Sequence, residues 1–126
     1  MINNKVSNVF PKGDGVASSE AVCKAFADAI DLPLGPEGIL PASTGVIGWA
    51  LPVPEMCAAM PAVVDSLSRE SIAGVARAIM TTDRYPKVAR SDFAQGASVV
   101  GVTKGAGMIE PALCATMLTF VLTDAK

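Results

Sequence analysis

Residues 104–111, KGAGMIEP, and residues 114–118, CATML, form the segment that decides how this chain is interpreted. A glycine-rich turn leads into a small residue, a threonine and an apolar run. Threonine becomes a useful nucleophile when a nearby base removes its hydroxyl proton, and the α-amino group of an N-terminal threonine can be that base. Cleavage of the Ala115–Thr116 bond would therefore create the nucleophile and its base together.

Self-cleavage would begin with attack of the Thr116 hydroxyl on the Ala115 carbonyl carbon. The C–N bond between Ala115 and Thr116 would break in an N-to-O acyl shift that frees the Thr116 amino group, and water would then hydrolyse the resulting ester. The glycines and Pro111 can supply the backbone bends that this attack requires. Taken alone, however, these residues are typical of an ordinary threonine that opens a strand. Cys114 is an alternative nucleophile, but the chain offers no neighbouring base to activate a thiol.

Three segments, in this order along the chain, resemble the ornithine acetyltransferase family, also called the bifunctional glutamate N-acetyltransferases. They are STGVIG at residues 43–48, AIMTTD at 78–83 followed by Pro86-Lys87, and the terminal segment described above. The resemblance implies an α/β fold in which sheets and helices are layered. It further implies that residues 1–126 are a single partial domain: the end of the α region, a cleavage site at 115–116 and the first strand of the β region.

The implied activity is an acyltransferase reaction of arginine biosynthesis. An acetyl group would move from N-acetylornithine to glutamate through an acetyl-threonine intermediate, with Thr116 as the nucleophile after autocatalytic cleavage. This short chain alone is expected not to perform the reaction. Thr44 and Gly45 match the oxyanion hole of the family. A hydroxyl and a backbone N–H suit the developing negative oxygen of a tetrahedral intermediate, although Ser43-Thr44-Gly45 alone is equally typical of a turn.

The substrate-binding residues of the family match Lys104 and one threonine of the pair Thr81 and Thr82. A lysine ammonium suits a substrate carboxylate. The Thr-Thr-Asp sequence could instead be a turn that ends a helix, in which Asp83 would bond local backbone. Sequence alone does not choose between Thr81 and Thr82.

Composition narrows the classes of function. The net charge of −2 and the lack of a basic stripe argue against nucleic acid as a partner. The absence of histidine excludes a Ser-His-Asp or Cys-His site and any histidine-containing metal site within this chain. The three cysteines are widely spaced and odd in number, so no metal site or disulfide framework is predicted.

The resemblance adds expectations about cofactors, partners and location. It implies small-molecule substrates, no cofactor, and acetyl-CoA as an alternative donor substrate. It also implies an α/β heterotetramer built from the two cleavage products. Residues 1–10 do not resemble a signal peptide and no apolar run is long enough to span a membrane, so a cytoplasmic location without a membrane partner is expected.

One departure from the family keeps two other functions open. The family reads Pro-Asn-Met-Ala-Thr before the cut, whereas residues 111–116, PALCAT, lack the asparagine and carry one more residue. A slip of one residue turns the side chains of a strand to its other face. A non-catalytic module that pairs its sheet edges with another chain, and an N-terminal-nucleophile amidohydrolase or aminopeptidase, are therefore the alternatives.

The secondary structure is predicted from periodicity and from breaker residues. Residues 1–17 should be irregular, and residues 81–90 should form a loop. The predicted helices cover 20–31 with Ser18 or Ser19 as cap, 54–67 with a kink or break at Pro61, and 69–80 with Ser68 as cap. The predicted strands cover 96–103 and 116–123.

Overall fold

The computed structural model describes residues 1–69, 71–93, 96–107 and 117–126. The chain divides into two compact units, Met1–Arg69 and Glu70–Lys126. Helices occur in both units, beside a parallel strand pair in the first and an antiparallel sheet in the second. This mixture confirms the predicted α/β class.

Most of the first 14 residues are irregular, as predicted, but residues 2–3 and 6 are paired. Strand β1 (Ile2–Asn3) runs parallel to β2 (Ala42–Ser43), and a bridge between Val6 and Val46 continues the pairing. The prediction was wrong at these residues because the pairing depends on a partner segment far away in the sequence. The turn-forming residues from Pro11 onward lie beyond the paired stretch.

Helix α1 (Gly15–Ala29) begins earlier than predicted, and its cap is Asp14 rather than Ser18 or Ser19. The Asp14 carboxylate accepts hydrogen bonds from the N–H groups of Val16 and Ala17, both at 3.0 Å. Asp14 is extended, as a capping residue should be, whereas Ser18 lies within the first turn. The buried positions of this helix are Val22, Cys23 and Ala27.

Helix α2 (Val53–Asp65) packs against α1 and carries Pro54 in its first turn, as predicted. Pro61 does not split the helix, because it lies inside one continuous helix. Met60 is the buried residue of this helix, and Leu51, just before it, is also buried. A short 3-10 helix (Gly35–Gly38) lies between α1 and β2.

The second unit is built on an antiparallel sheet of three strands in the order β3–β4–β5. The strands are β3 (Lys87–Asp92), β4 (Ser98–Thr103) and β5 (Thr119–Thr123). The predicted strands at 96–103 and 116–123 are confirmed over β4 and β5. The predicted loop at 81–90 was wrong from Lys87 onward, because β3 is mostly exposed and lacks apolar alternation.

Helix α3 (Ala73–Ala78) packs on β3 and β4 and is shorter than predicted. Ser68 is not its cap; the residue at the cap position is Ile72, which has no side-chain capping bond. The core of the unit contains Ala76, Ile79 and Val102. Among the helices that the structure describes, none is long and apolar enough to cross a bilayer.

Candidate functional site

Thr44 and Gly45 follow directly after β2 in the first unit. Thr44 is only 3% exposed, and its backbone N–H donates to the Asn3 carbonyl at 3.1 Å. Within the described part of the chain, neither the Thr44 hydroxyl nor the Gly45 N–H makes a hydrogen bond. A hydroxyl and a backbone N–H are the types of donor that an oxyanion hole uses.

The position of these donors is fixed by a close backbone approach at Gly45. Gly45 has a φ of 125°, which side-chain-bearing residues rarely adopt, and a Cβ there would lie 2.3 Å from the Lys5 carbonyl carbon. Val46 N–H donates to the Lys5 carbonyl at 2.9 Å on the other side of the glycine. Only glycine fits here, so the turn has a structural reason for its sequence.

In the second unit, the Asp83 carboxylate connects two segments that are distant in sequence. It accepts hydrogen bonds from the Thr81 N–H at 3.2 Å and the Gly105 N–H at 2.7 Å, and it forms an ion pair with Lys87. Burial would raise the pKa of Asp83, but the bonds from Lys87, Gly105 and Thr81 hold that pKa below its usual value. The carboxylate is therefore ionised at neutral pH.

From the sequence, Asp83 was predicted only to bond local backbone. The bond from Thr81 confirms that local turn. The bond from Gly105 could not be anticipated, because it depends on how residues 81–87 meet the glycine turn. The one sequence signal was the spacing of Asp83 and Lys87, which is four residues.

A cleft of about 440 Å³ opens beside Asp83. The described residues that line it come from two segments: Thr82, Arg84, Tyr85 and Lys87 from one, and Gly105, Ala106 and Gly107 from the other. Thr82 lines the cleft, whereas the backbone of its neighbour Thr81 is engaged by Asp83. The Lys87 ammonium lies 5.2 Å from the centroid of the Tyr85 ring, so cation–π attraction also holds this lysine.

Lys104 lies between the end of β4 and the glycine turn and is only 5% exposed. Its backbone N–H donates to the Leu118 carbonyl at 3.1 Å, which joins this position to the segment entering β5. Burial lowers the pKa of Lys104, and the nearby Asp83 charge opposes part of that shift. Lysine residues are rarely buried to this degree unless their charge is paired.

The predicted site residues thus divide between the two units. The first unit holds Thr44 and Gly45 side by side, and the second brings Thr82 and the glycine turn after Lys104 to one cleft. The predicted cleavage site, Ala115 and Thr116, and the alternative nucleophile Cys114 lie outside the described residues. Among the described residues there is no cluster of three or more potential metal ligands.

The ArgJ family model matches residues 1–126, the whole chain. The arginine biosynthesis bifunctional protein ArgJ of Gluconobacter oxydans is 43% identical over the whole chain, which covers 30% of that relative. The protein of the same name from Methylococcus capsulatus is 42% identical, again over the whole chain, which covers 31% of its length.

The solved structures that are similar to this chain include the following two. One is the crystal structure of ornithine acetyltransferase complexed with ornithine from Mycobacterium tuberculosis: it is 31% identical, covers 93% of this chain and has a TM-score of 0.75, and this chain covers 61% of it. The other is the crystal structure of the arginine biosynthesis bifunctional protein argJ from Bacillus halodurans. It is 20% identical, covers 93% of this chain and has a TM-score of 0.61, and this chain covers 60% of it. At this identity it supports the fold alone.

These similarities confirm that the mixed α/β architecture is that of an ornithine acetyltransferase. The chain spans about 30% of the length of the curated relatives it matches. Because the family model matches every residue of the sequence and the relatives align along its whole length, the chain belongs to the ArgJ family.

Proposed function

We propose that this chain is part of an acetyltransferase of arginine biosynthesis that moves an acetyl group from N-acetylornithine to glutamate. The observation that carries the proposal is the match to the ArgJ family along all 126 residues. The relatives are named arginine biosynthesis bifunctional proteins, and a similar solved structure is an ornithine acetyltransferase that holds ornithine.

The proposed reaction begins with cleavage between Ala115 and Thr116, which separates an α region from a β region whose first strand is β5. The new α-amino group of Thr116 takes the proton from its own hydroxyl. The hydroxyl oxygen attacks the acetyl carbonyl of N-acetylornithine, and the amine of ornithine leaves with that proton. The amine of glutamate then attacks the acetyl-threonine ester and restores the free threonine.

Thr44 and Gly45 are assigned to the oxyanion in both tetrahedral intermediates. Their support is the pair of unused donors in a turn that is rigidly held against Lys5. Preorganised donors of this kind stabilise the transition state without reorganising during the reaction, and one such donor contributes about 2.7–4 kcal/mol.

We assign Lys104 and Thr82 to substrate binding, with the Lys104 ammonium facing the carboxylate of the substrate. Thr82 is preferred over Thr81 because Thr82 lines the cleft. The pKa of Lys104 is lowered by burial, so a bound carboxylate would restore the stability of its charged form. Binding of the substrate carboxylate and protonation of Lys104 would then favour each other.

The partners and surroundings follow from the same proposal. The substrates are small molecules, no cofactor takes part, and acetyl-CoA is an alternative donor of the acetyl group. The two products of cleavage assemble as an α/β heterotetramer in the cytoplasm. These assignments rest on the family to which the chain belongs.

The experiment that tests the proposal measures N-acetylglutamate by mass spectrometry after mixing N-acetylornithine and glutamate with the chain. The chain is tested alone and together with a partner polypeptide. The partner polypeptide is the part of the Gluconobacter relative that this chain does not cover. With the partner polypeptide we expect product with the native threonine, less with Thr116→Ser and none with Thr116→Ala, and we expect no product from the chain alone. Acetate and ornithine released without an acceptor would instead support a hydrolase, and no reaction in any combination would support a non-catalytic module.

A further inference from the structure

Among the described residues, the 440 Å³ cleft has two walls, one formed by Thr82, Arg84, Tyr85 and Lys87 and the other by residues 105–107, and a single carboxylate bonds to both segments. We propose that Asp83 is a positioning residue, which holds these two walls at the spacing that substrate binding requires. This inference rests on the proposed function, because it assigns a role in the same site. Asp83 itself does not line the cleft.

The bonds that the Asp83 carboxylate accepts link the two walls. One oxygen, Oδ1, accepts from the Gly105 N–H and pairs with the Lys87 ammonium, so it joins the two walls directly. The other oxygen, Oδ2, accepts from the Thr81 N–H and fixes the carboxylate on its own segment. The side chain is 0% exposed, and hydrogen bonds to a buried charge are stronger than those between neutral groups.

The bond to Gly105 determines the direction of the glycine turn. Gly105 has a φ of 123°, and a Cβ there would lie 3.2 Å from the Met117 side chain, so the turn is crowded as well as left-handed. Lys104 precedes this residue, and Ala106 and Gly107 follow it into the cleft wall. A shift of the Gly105 N–H would therefore move both Lys104 and the wall.

Asp83 also controls which lysine can bind a substrate carboxylate. Because the Lys87 ammonium pairs with Asp83 and lies over the Tyr85 ring, it is not available as a competing anchor. Loss of the Asp83 charge would release Lys87 at the cleft wall. A carboxylate could then bind at a second, misplaced position.

Helix α1 offers a matched control. Lys24 and Asp28 have the same spacing of four residues and lie 2.7 Å apart, but their side chains are 66% and 62% exposed. An exposed pair of this kind contributes little. Asp28→Asn therefore removes the same charge from a similar pair without touching the cleft.

The first test is hydrogen exchange of the Gly105 amide in the full chain. In Asp83→Asn we expect this amide to exchange about 10- to 100-fold faster, as loss of a charge-assisted hydrogen bond implies. It should be unchanged in Asp28→Asn. Equal protection in Asp83→Asn and the native chain would overturn the proposal. This readout does not need acetyl transfer, so it decides the role of Asp83 even if the proposed function fails.

The second test uses the acetyltransferase assay with the partner polypeptide. We expect Asp83→Asn to raise KM for glutamate, with kcat/KM falling by up to about 100-fold, and kcat per folded molecule close to that of the native protein. A purely structural role would lower the folded fraction and leave KM unchanged, and that result would contradict a positioning role.

A third measurement covers the case in which Asp83→Asn does not fold. In the native chain, the Gly105 amide proton shift should follow the protonation of Asp83 in acid. The charged groups facing that carboxylate are Lys87 and Lys104. If the chemical shift of the Gly105 amide proton does not respond to acid while the chain stays folded, the proposal that Asp83 links the two walls would be overturned.

Discussion

Gly45 passes so close to Lys5 that a Cβ on Gly45 would lie 2.3 Å from both the carbonyl carbon and the carbonyl oxygen of Lys5. This approach holds the Thr44–Gly45 turn against the segment that pairs with β2. The donors assigned to the oxyanion are thus positioned by a tertiary contact as well as by their own turn. Their geometry should therefore respond to changes at Gly45.

Gly45→Ala should destabilise the unit Met1–Arg69 by about 3 kcal/mol or more, because a strained φ and a clash with backbone act together. Gly48→Ala is the matched control: Gly48 has a φ of 86°, but nothing lies within 4 Å of a Cβ there. Strain alone should cost about 1–2 kcal/mol at that position. Urea unfolding of both variants measures the difference, and equal losses would show that the Lys5 contact does not constrain the turn.

Thr44→Val should lower kcat about 10²- to 10³-fold with little change in KM, since it removes one oxyanion donor while keeping the shape of the side chain. Thr44→Ser retains the hydroxyl and should keep most of the activity. Because the hydroxyl bonds to none of the described residues, Thr44→Val should be no less stable than the native chain. Loss of stability without loss of kcat per folded molecule would assign Thr44 to the fold instead.

Lys104 should make stability depend on pH in the alkaline range. Burial places its folded pKa below the ordinary value of 10.5, so between these two values the unfolded chain binds more protons than the folded one. Stability therefore rises with pH across that window. Lys104→Met should remove this rise, and denaturant unfolding at several pH values measures it. The same variant should bind substrate carboxylates weakly, and a parallel pH profile for both proteins would contradict the burial of the charge.

The sequence predicted the class of fold and most of the elements, because Val22, Pro54 and the β-branched run of β4 follow local rules. The predictions were wrong where pairing with a distant segment determines the secondary structure. Strand β3 contains Lys87, Arg90 and Asp92, which carry no apolar alternation, and it is a strand because β4 pairs with it along its length.

The candidate site divides in the same way. Thr44, Gly45 and Lys104 could be named from motifs, since the family resemblance fixes their identity and order. The role of Asp83 could not, because it depends on a hydrogen bond to Gly105, which lies 22 residues further along the chain. Neither the pair with Lys87 nor this longer link was predicted from the sequence.

The most direct test of the account is intact mass spectrometry of the purified, folded chain beside its Thr116→Ala variant. The account predicts two polypeptides from the native chain, one ending at Ala115 and one beginning at Thr116. The Thr116→Ala variant should stay whole. With N-acetylornithine and the partner polypeptide present, the fragment beginning at Thr116 should gain the mass of one acetyl group. A single uncut mass for the folded native chain, equal in behaviour to Thr116→Ala, would contradict the claim that this chain generates an N-terminal threonine nucleophile.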